Sequence, residues 1–337
     1  MKAAWYERTG EAQKVLQIGE LDNPLPNKGE VLVQLKTSGI NPSDVKTRAG
    51  ARGDLQFPKI VPHSDGAGTI VDVGEGVDKK RIGERVWIWN GAFGRAFGTC
   101  AELISLPEFQ AAKINDSVDF KSAACMGIPA STAYYGIFAN GSVKDKTVLI
   151  SGGAGAVGFY GIQLAKLSGA SVITTISSDE KAEVAQEAGA DKVINYKNED
   201  VVEEIMNFSN NKGVDRIFEV EFGGNLSINE KVIKSNGVIA AYGSMADMEP
   251  KLPFYNLMFK GTKIDTFLIY TINQNFRKEL IDGLSKMLNE NSLKHMVTKT
   301  FSINSIIEAH EAMESGNIIG NIVVCLLYTS PSPRDLH

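Results

Sequence analysis

Ser151-Gly152-Gly153-Ala154-Gly155-Ala156-Val157-Gly158 decides how this chain is read. Gly153, Gly155 and Gly158 fit the pattern G-x-G-x-x-G. Before the loop stands Thr147-Val148-Leu149-Ile150, a short apolar run of the buried-strand kind; after it, residues 156–167 carry a helical pattern. A glycine loop that leaves a strand and opens a helix is the setting in which this motif holds a dinucleotide. The first glycine permits the tight turn, the second lets backbone approach a pyrophosphate, and the third lets helix and strand pack closely. The helix N-terminus then faces the negative charge. Gly153, Gly155, Ala156, Val157 and Gly158 are therefore the expected phosphate-binding residues.

Downstream, strand and helix alternate. Strands are expected at 171–175, 192–194, 214–220 and 237–242, with helices at 180–188 and 201–208. Such βαβ units with continuous apolar strands predict a doubly wound parallel sheet, an α/β Rossmann domain. An NAD-preferring site places an acid about 20 residues after the loop, at the end of the second strand. Here that strand ends Thr175-Ile176-Ser177-Ser178, with Lys181 close behind. Hydroxyls and an ammonium suit a 2′-phosphate, so the expected cofactor is NADPH. Asp179 is read as the cap of the next helix. Tyr196, after the third strand, either reaches the same phosphate or covers the sheet edge.

At 337 residues the chain is long enough for about two domains. A hydrophobic fraction of 43% against 22% charged residues argues for a packed core rather than disorder. The net charge of -5, with no long like-charge block, argues against a nucleic-acid partner. Three cysteines, Cys100, Cys125 and Cys325, leave no CxxC pair and no disulfide framework. The opening residues lack an apolar signal stretch, and the most apolar segment, 147–167, is interrupted by glycines and carries Lys166, so no membrane partner is expected and a cytoplasmic location is. The first third reads as strands, at 31–35, 68–74 and 85–89, separated by turns. Helix formers at 119–139 are interrupted by Gly127-Ile128-Pro129. Strands near 263–269 and 320–325 and helices near 274–290 and 304–314 follow. Residues 327–337 read as a disordered or artefactual tail.

Several further stretches carry a resemblance. They are Gly39-Ile40-Asn41-Pro42-Ser43-Asp44, Pro62-His63-Ser64-Asp65-Gly66-Ala67-Gly68, Gly83-Glu84-Arg85-Val86, Pro129-Ala130-Ser131-Thr132-Ala133-Tyr134, Gln163-Leu164-Ala165-Lys166 and Ala188-Gly189-Ala190-Asp191. With the glycine loop they cover nearly the whole chain up to Cys325. The chain resembles the zinc-independent quinone oxidoreductase (zeta-crystallin-like) branch of the medium-chain dehydrogenases/reductases. The resemblance implies a β-rich GroES-like catalytic domain from 1–122 and 269–326, a Rossmann domain at 123–268, and a homodimer.

The zinc-dependent members of that superfamily hold a catalytic metal with a Cys/His/Cys set. By motif alignment those positions here are Asn41, Ser64 and Ile128, so no metal is expected. His63, next to one of them, is read as a loop histidine at the cleft rim. Without a Lewis acid, ordinary alcohol oxidation loses its alkoxide stabiliser. The chemistry left is hydride transfer from NADPH to a quinone or a related small conjugated carbonyl acceptor. The alternatives are an enone or 2-enoate (2-haloacrylate-like) reductase, and a non-catalytic, crystallin-like NADPH-binding protein. By resemblance Asn41, Asp44 and Thr132 are the catalytic candidates, with a helix cap as the equal alternative for Asp44. Tyr242, Gly243, Ser244, Phe267, Leu268 and Ile269 resemble cofactor-contacting segments, the last three being alternatively plain core strand. Lys46 and Arg48 are read as a solvated basic face or as steering groups. Trp87, Trp89 and Phe93 are an apolar substrate wall or core, and Tyr134 and Tyr270 conceivable proton donors. Asn321 stands where the family usually has lysine.

Overall fold

The computed structural model describes residues 1–326; the tail expected at 327–337 lies outside the described residues. The chain forms two compact units, Met1–Ile128 with the segment from Ser285 onward, and Pro129–Leu284. The sequence placed the divisions at 122/123 and 268/269. Residues 123–128 belong with the first unit, where the Ile128 N–H donates to Asp65 at 2.9 Å. Residues 269–284 belong with the second, where Arg277 holds the Ile269 carbonyl and Phe276 packs on Tyr135 at 5.2 Å.

The first unit opens with an antiparallel pair, β1 (Lys2–Trp5) and β2 (Gln17–Glu20), on either side of the short α1 (Ala12–Val15). Its main sheet begins with β3 (Glu30–Ile40), β4 (Asp65–Val73), β5 (Arg85–Ile88), β6 (Leu103–Pro107) and β7 (Ala111–Lys113). The long β3 is antiparallel to both β4 and β6. Between β3 and β4 lies α2 (Pro42–Ala49). Asn41 is extended, as the residue before a proline must be, and Pro42 opens the helix where its missing N–H costs nothing. Gly50, at φ +92°, ends it in the left-handed region. Asp119 caps α3 (Phe120–Ala123).

A π-helical turn, Met126–Ala130, takes up Pro129 and runs into α4 (Ser131–Phe138). The break expected at 127–129 is thus a widened turn rather than a loop. The second unit continues as β8 (Thr147–Ile150), α5 (Ala156–Leu167), β9 (Ser171–Ile176), α6 (Asp179–Glu187), β10 (Lys192–Asn195), α7 (Val201–Phe208), β11 (Val214–Glu219), α8 (Phe222–Val232), β12 (Ile233–Ala241), α9 (Phe254–Lys260) and β13 (Lys263–Thr266). The six strands are all parallel, in the order β10-β9-β8-β11-β12-β13. This is the doubly wound order 3-2-1-4-5-6. Chain direction across the sheet reverses between β8 and β11, and ligands of such sheets bind outside the carboxyl ends of the strands at that point. Leu149, Ile173, Ile194, Ile217 and Ile239, one from each of five strands, form the core under α7 and α8.

The chain then runs through α10 (Gln274–Asn289), β14 (Val297–Ser302), α11 (Ile306–Glu314) and β15 (Asn321–Cys325). β15 lies between β14 and β3, antiparallel to β3, with Ile322 opposite Ile40. The first unit is therefore a mainly antiparallel sheet whose order is β14-β15-β3-β4-β5-β7, with β6 also paired to β3. No helix of the described residues is long and apolar enough to cross a membrane.

Candidate functional site

The glycine loop is where the sequence put it, between β8 and α5. Gly152 turns the chain at φ +73°. A Cβ on Gly158 would overlap the Gly152 carbonyl, so only glycine lets α5 start this close to the strand. Gly155 is the N-cap of α5 and supplies no side-chain cap. The three helices that follow do have one: Ser178 for α6, Asp200 for α7 and Glu221 for α8. The N–H groups of Ala156, Val157 and Gly158 have no partner within their helix, and no side chain covers them as a cap. Among these four helices, α5 alone keeps its positive end open to an anion.

At the end of β9, Lys181 Nζ donates to Ser177 Oγ at 3.1 Å. Ser178, not Asp179, caps α6: its hydroxyl accepts from the Lys181 N–H, and Asp179 falls in the first turn. The register slips by one residue because Ser178 is the last extended position. Tyr196 follows β10, half-exposed, with its N–H on the Ile176 carbonyl at 3.2 Å. Ser177, Lys181 and Tyr196 thus gather where β9 and β10 end, and no carboxylate terminates β9.

Other expected cofactor residues are partly committed elsewhere. Tyr242 stacks on Phe218, centroids 4.7 Å apart, and burial raises its hydroxyl pKa. The Gly243 carbonyl accepts from Phe222 N at 2.8 Å. Ser244 Oγ accepts from Gly223 N at 2.8 Å and donates to the Asp247 carbonyl. Phe267 packs on Tyr135 at 4.4 Å; Leu268 is exposed and Ile269 buried. The strand expected through 269 ends at Thr266, where a short 3-10 turn begins soon after. Thr132 is buried in the first turn of α4. Tyr134 is also buried, which raises its pKa, while Tyr270 lies in that 3-10 turn.

In the first unit Asn41 Nδ2 donates to Asp65 Oδ2 at 2.8 Å, which fixes the amide's orientation and commits one of its two N–H bonds. Asp44 sits in the first turn of α2 and accepts from Asn41 N at 2.8 Å, the cap geometry; burial pushes its carboxyl up to about 7. Asp65 is wholly buried and its pKa is raised well above the usual range for the same reason. Zinc does not suit this place. Asn41 turns a donor toward Asp65, Ser64 offers a neutral hydroxyl, and Ile128 offers only a backbone N–H.

His63 is not at a rim. It is fully buried, in the left-handed region at φ +76°, and its partners settle its protonation. Thr99 Oγ1 donates to the Asp65 carbonyl at 2.6 Å, so it must accept from Ser38 Oγ at 2.7 Å. With the Ser38 proton spent, His63 Nδ1 donates to Ser38 Oγ at 2.8 Å. His63 Nε2 then accepts from His310 Nε2 at 2.9 Å, leaving His310 Nδ1 a bare acceptor with no partner among the described residues. Burial lowers both imidazole pKa values, that of His310 to about 3, so both are neutral. Arg48 likewise is no solvated base: buried, it joins the Gly10 carbonyl to Glu314. Trp87 is core, its Nε1 donating to Ser285 Oγ at 3.0 Å, and Trp89 is buried with its Nε1 on the Phe109 carbonyl; Phe93 alone of the three is exposed. Asn321 holds the Met296 carbonyl at 3.2 Å.

Two protein families match this chain in tandem: the alcohol dehydrogenase GroES-like domain over residues 27–140 and the zinc-binding dehydrogenase family over 156–286. They fall on the β-rich unit and the glycine-loop unit respectively. The chain belongs to the medium-chain dehydrogenase/reductase family. Human quinone oxidoreductase is 25% identical over 307 residues, covering 90% of this chain and 91% of its own. An alcohol dehydrogenase of Geobacillus stearothermophilus is 27% identical, covering 97% and 99%. Among solved structures, a mycobacterial protein complexed with NADPH superposes with TM-score 0.83 at 25% identity, covering 97% of this chain and 100% of its own.

Sequence reasoning missed one residue of the crevice between β8 and β11. Glu219, the last residue of β11, is wholly buried beside the glycine loop. It read as one more strand position, and only its charge in an apolar run marked it out.

Proposed function

We propose that this chain is an NADPH-dependent reductase that works without zinc and delivers hydride to quinones or related conjugated carbonyl acceptors. The observation that carries the reading is the uncapped N-terminus of α5 together with the Ser177–Lys181 pair at the end of β9. The first suits a pyrophosphate; the second suits a 2′-phosphate and gives a ribose 2′-hydroxyl no acid to bind. The NADPH complex of the mycobacterial relative supports the same cofactor, and the human quinone oxidoreductase supports the acceptor class.

When bound, NADPH supplies the hydride. A quinone takes it because charge develops on an oxygen conjugated into a forming aromatic ring, which no metal is needed to polarise. The protein's part is proximity and hydrogen-bond donation. Asn41, its amide fixed by Asp65, keeps one N–H to offer an acceptor oxygen. Asp44 holds the turn that presents Asn41, and Thr132 is the proposed neighbour of the nicotinamide. The protein acts as a cytoplasmic homodimer, two copies meeting through α9, where Phe254, Tyr255 and Phe259 stand exposed.

The test is NADPH and NADH oxidation against a quinone panel, with and without chelator. Turnover favouring NADPH and indifferent to chelator is expected. Equal rates with both cofactors would refute the role of Ser177 and Lys181, and loss of activity with chelator would refute the zinc-free reading. Sedimentation at micromolar concentration checks the dimer.

A further inference from the structure

Glu219 ends β11 at the point where strand order reverses, and its side chain accepts four hydrogen bonds. Oε2 takes Ser151 Oγ at 3.0 Å and Asn229 Nδ2 at 2.8 Å. Oε1 takes Glu221 N at 2.8 Å and Asn225 Nδ2 at 2.9 Å. The donors come from three places: the first residue of the glycine loop, the β11–α8 turn, and the body of α8. A carboxylate is the one side chain that offers only acceptors, on two oxygens, and can satisfy all four donors at once. Glu221, two residues on, does the same work further out. Its carboxylate accepts from Met245 N and Ala246 N, and it caps α8 through Gly224 N. The loops that follow β8, β11 and β12 are in this way tied to one another before any ligand arrives.

We propose that Glu219 is a positioning residue for the cofactor: by holding Ser151 across the β8–β11 crevice, it keeps the glycine loop in its binding shape. The inference rests on the NADPH reading above. Glu219 does not touch the dinucleotide; it acts through Ser151. A preformed loop spares the cofactor the cost of ordering it, and that saving appears as affinity.

Two substitutions test this. Glu219→Gln keeps the size but turns one acceptor into a donor facing donors. Ser151→Ala removes only the glycine-loop end of the link. Each variant is titrated with NADPH and with adenosine 2′-phosphate, which reports on Ser177 and Lys181 and lacks the pyrophosphate. Glu219→Gln is expected to weaken NADPH about 10- to 100-fold, and Ser151→Ala about 3- to 10-fold, with adenosine 2′-phosphate within about twofold in both. Equal weakening of both ligands would overturn the proposal, because it reports general loss of structure. An unchanged NADPH affinity in Ser151→Ala would overturn it as well, even if Glu219→Gln fails to fold. Wild-type protein that binds neither ligand would instead overturn the NADPH reading itself.

Discussion

His310→Leu tests the buried imidazole pair, and its effect should change with pH in a calculable way. In the folded protein the His310 pKa is lowered to about 3 by burial, with the Arg48 charge adding to the shift. In the unfolded chain it returns to about 6.5. Between these values the unfolded state holds a proton that the folded state does not, so stability is full above about pH 6.5 and falls as pH drops. At about 1.4 kcal/mol per pH unit, going from about pH 7.5 to about pH 5 removes roughly 2 kcal/mol through His310. Asp44 works the other way. Its folded carboxyl, raised to about 7, keeps a proton that the unfolded chain has lost, so it adds stability over the same interval. His63 and Asp65, shifted in the same two opposite senses, overlap with them, so the difference between wild type and variant is the informative quantity. At about pH 7.5 the variant should be less stable by roughly 1–3 kcal/mol, because His63 Nε2 loses its donor. By about pH 5 that gap should have closed by roughly 2 kcal/mol. Urea unfolding followed by tryptophan fluorescence across this range measures it. A gap that stays constant with pH would refute the neutral, donor-to-acceptor chain from His310 to Asp65.

Gly158→Ala should abolish NADPH binding in a fluorescence titration, since its Cβ has no room beside the Gly152 carbonyl. Lys181→Ala should weaken NADPH about 10- to 100-fold and leave NADH nearly unchanged, the loss of one charge-assisted contact. Arg48→Met should lower the thermal midpoint by several degrees, from roughly 1–3 kcal/mol of lost hydrogen bonding to Gly10 and Glu314, while NADPH affinity in the folded fraction is retained.

What the sequence disclosed and what it hid follow one physical line. The glycine loop, α5 and α7 were legible because strand, turn and helix signals sit side by side, and both helices match their expected spans to the residue. β14 was missed because Thr298, Lys299 and Thr300 are exposed on a sheet edge and no apolar alternation marks it. β1, β2, β6 and β7 are too short to carry a period. The α6 cap went to Asp179 instead of Ser178, an error of one residue at a boundary where both side chains can cap. His63 and Arg48 were misplaced for a deeper reason. Their partners, His310 and Glu314, lie 247 and 266 residues away, and no local pattern reports contacts at that range. Glu219 was hidden likewise, since its meaning depends on Ser151, 68 residues earlier.

The position of β15 has a consequence for how the polypeptide is made. Its neighbour β3 emerges from the ribosome about 280 residues sooner, a delay on the order of 15–60 s at ordinary synthesis rates. The contiguous stretch Pro129–Leu284 has all its own strands in hand well before then. During that wait β6 can cover Glu30–Gln34 on the side of β3 that β15 will join, but the stretch Thr37–Ile40 is without the strand that will pair with it, its backbone donors and acceptors bare. Newly made protein would be most vulnerable to aggregation, and most in need of a chaperone, in this half-minute before β15 slides in between β14 and β3.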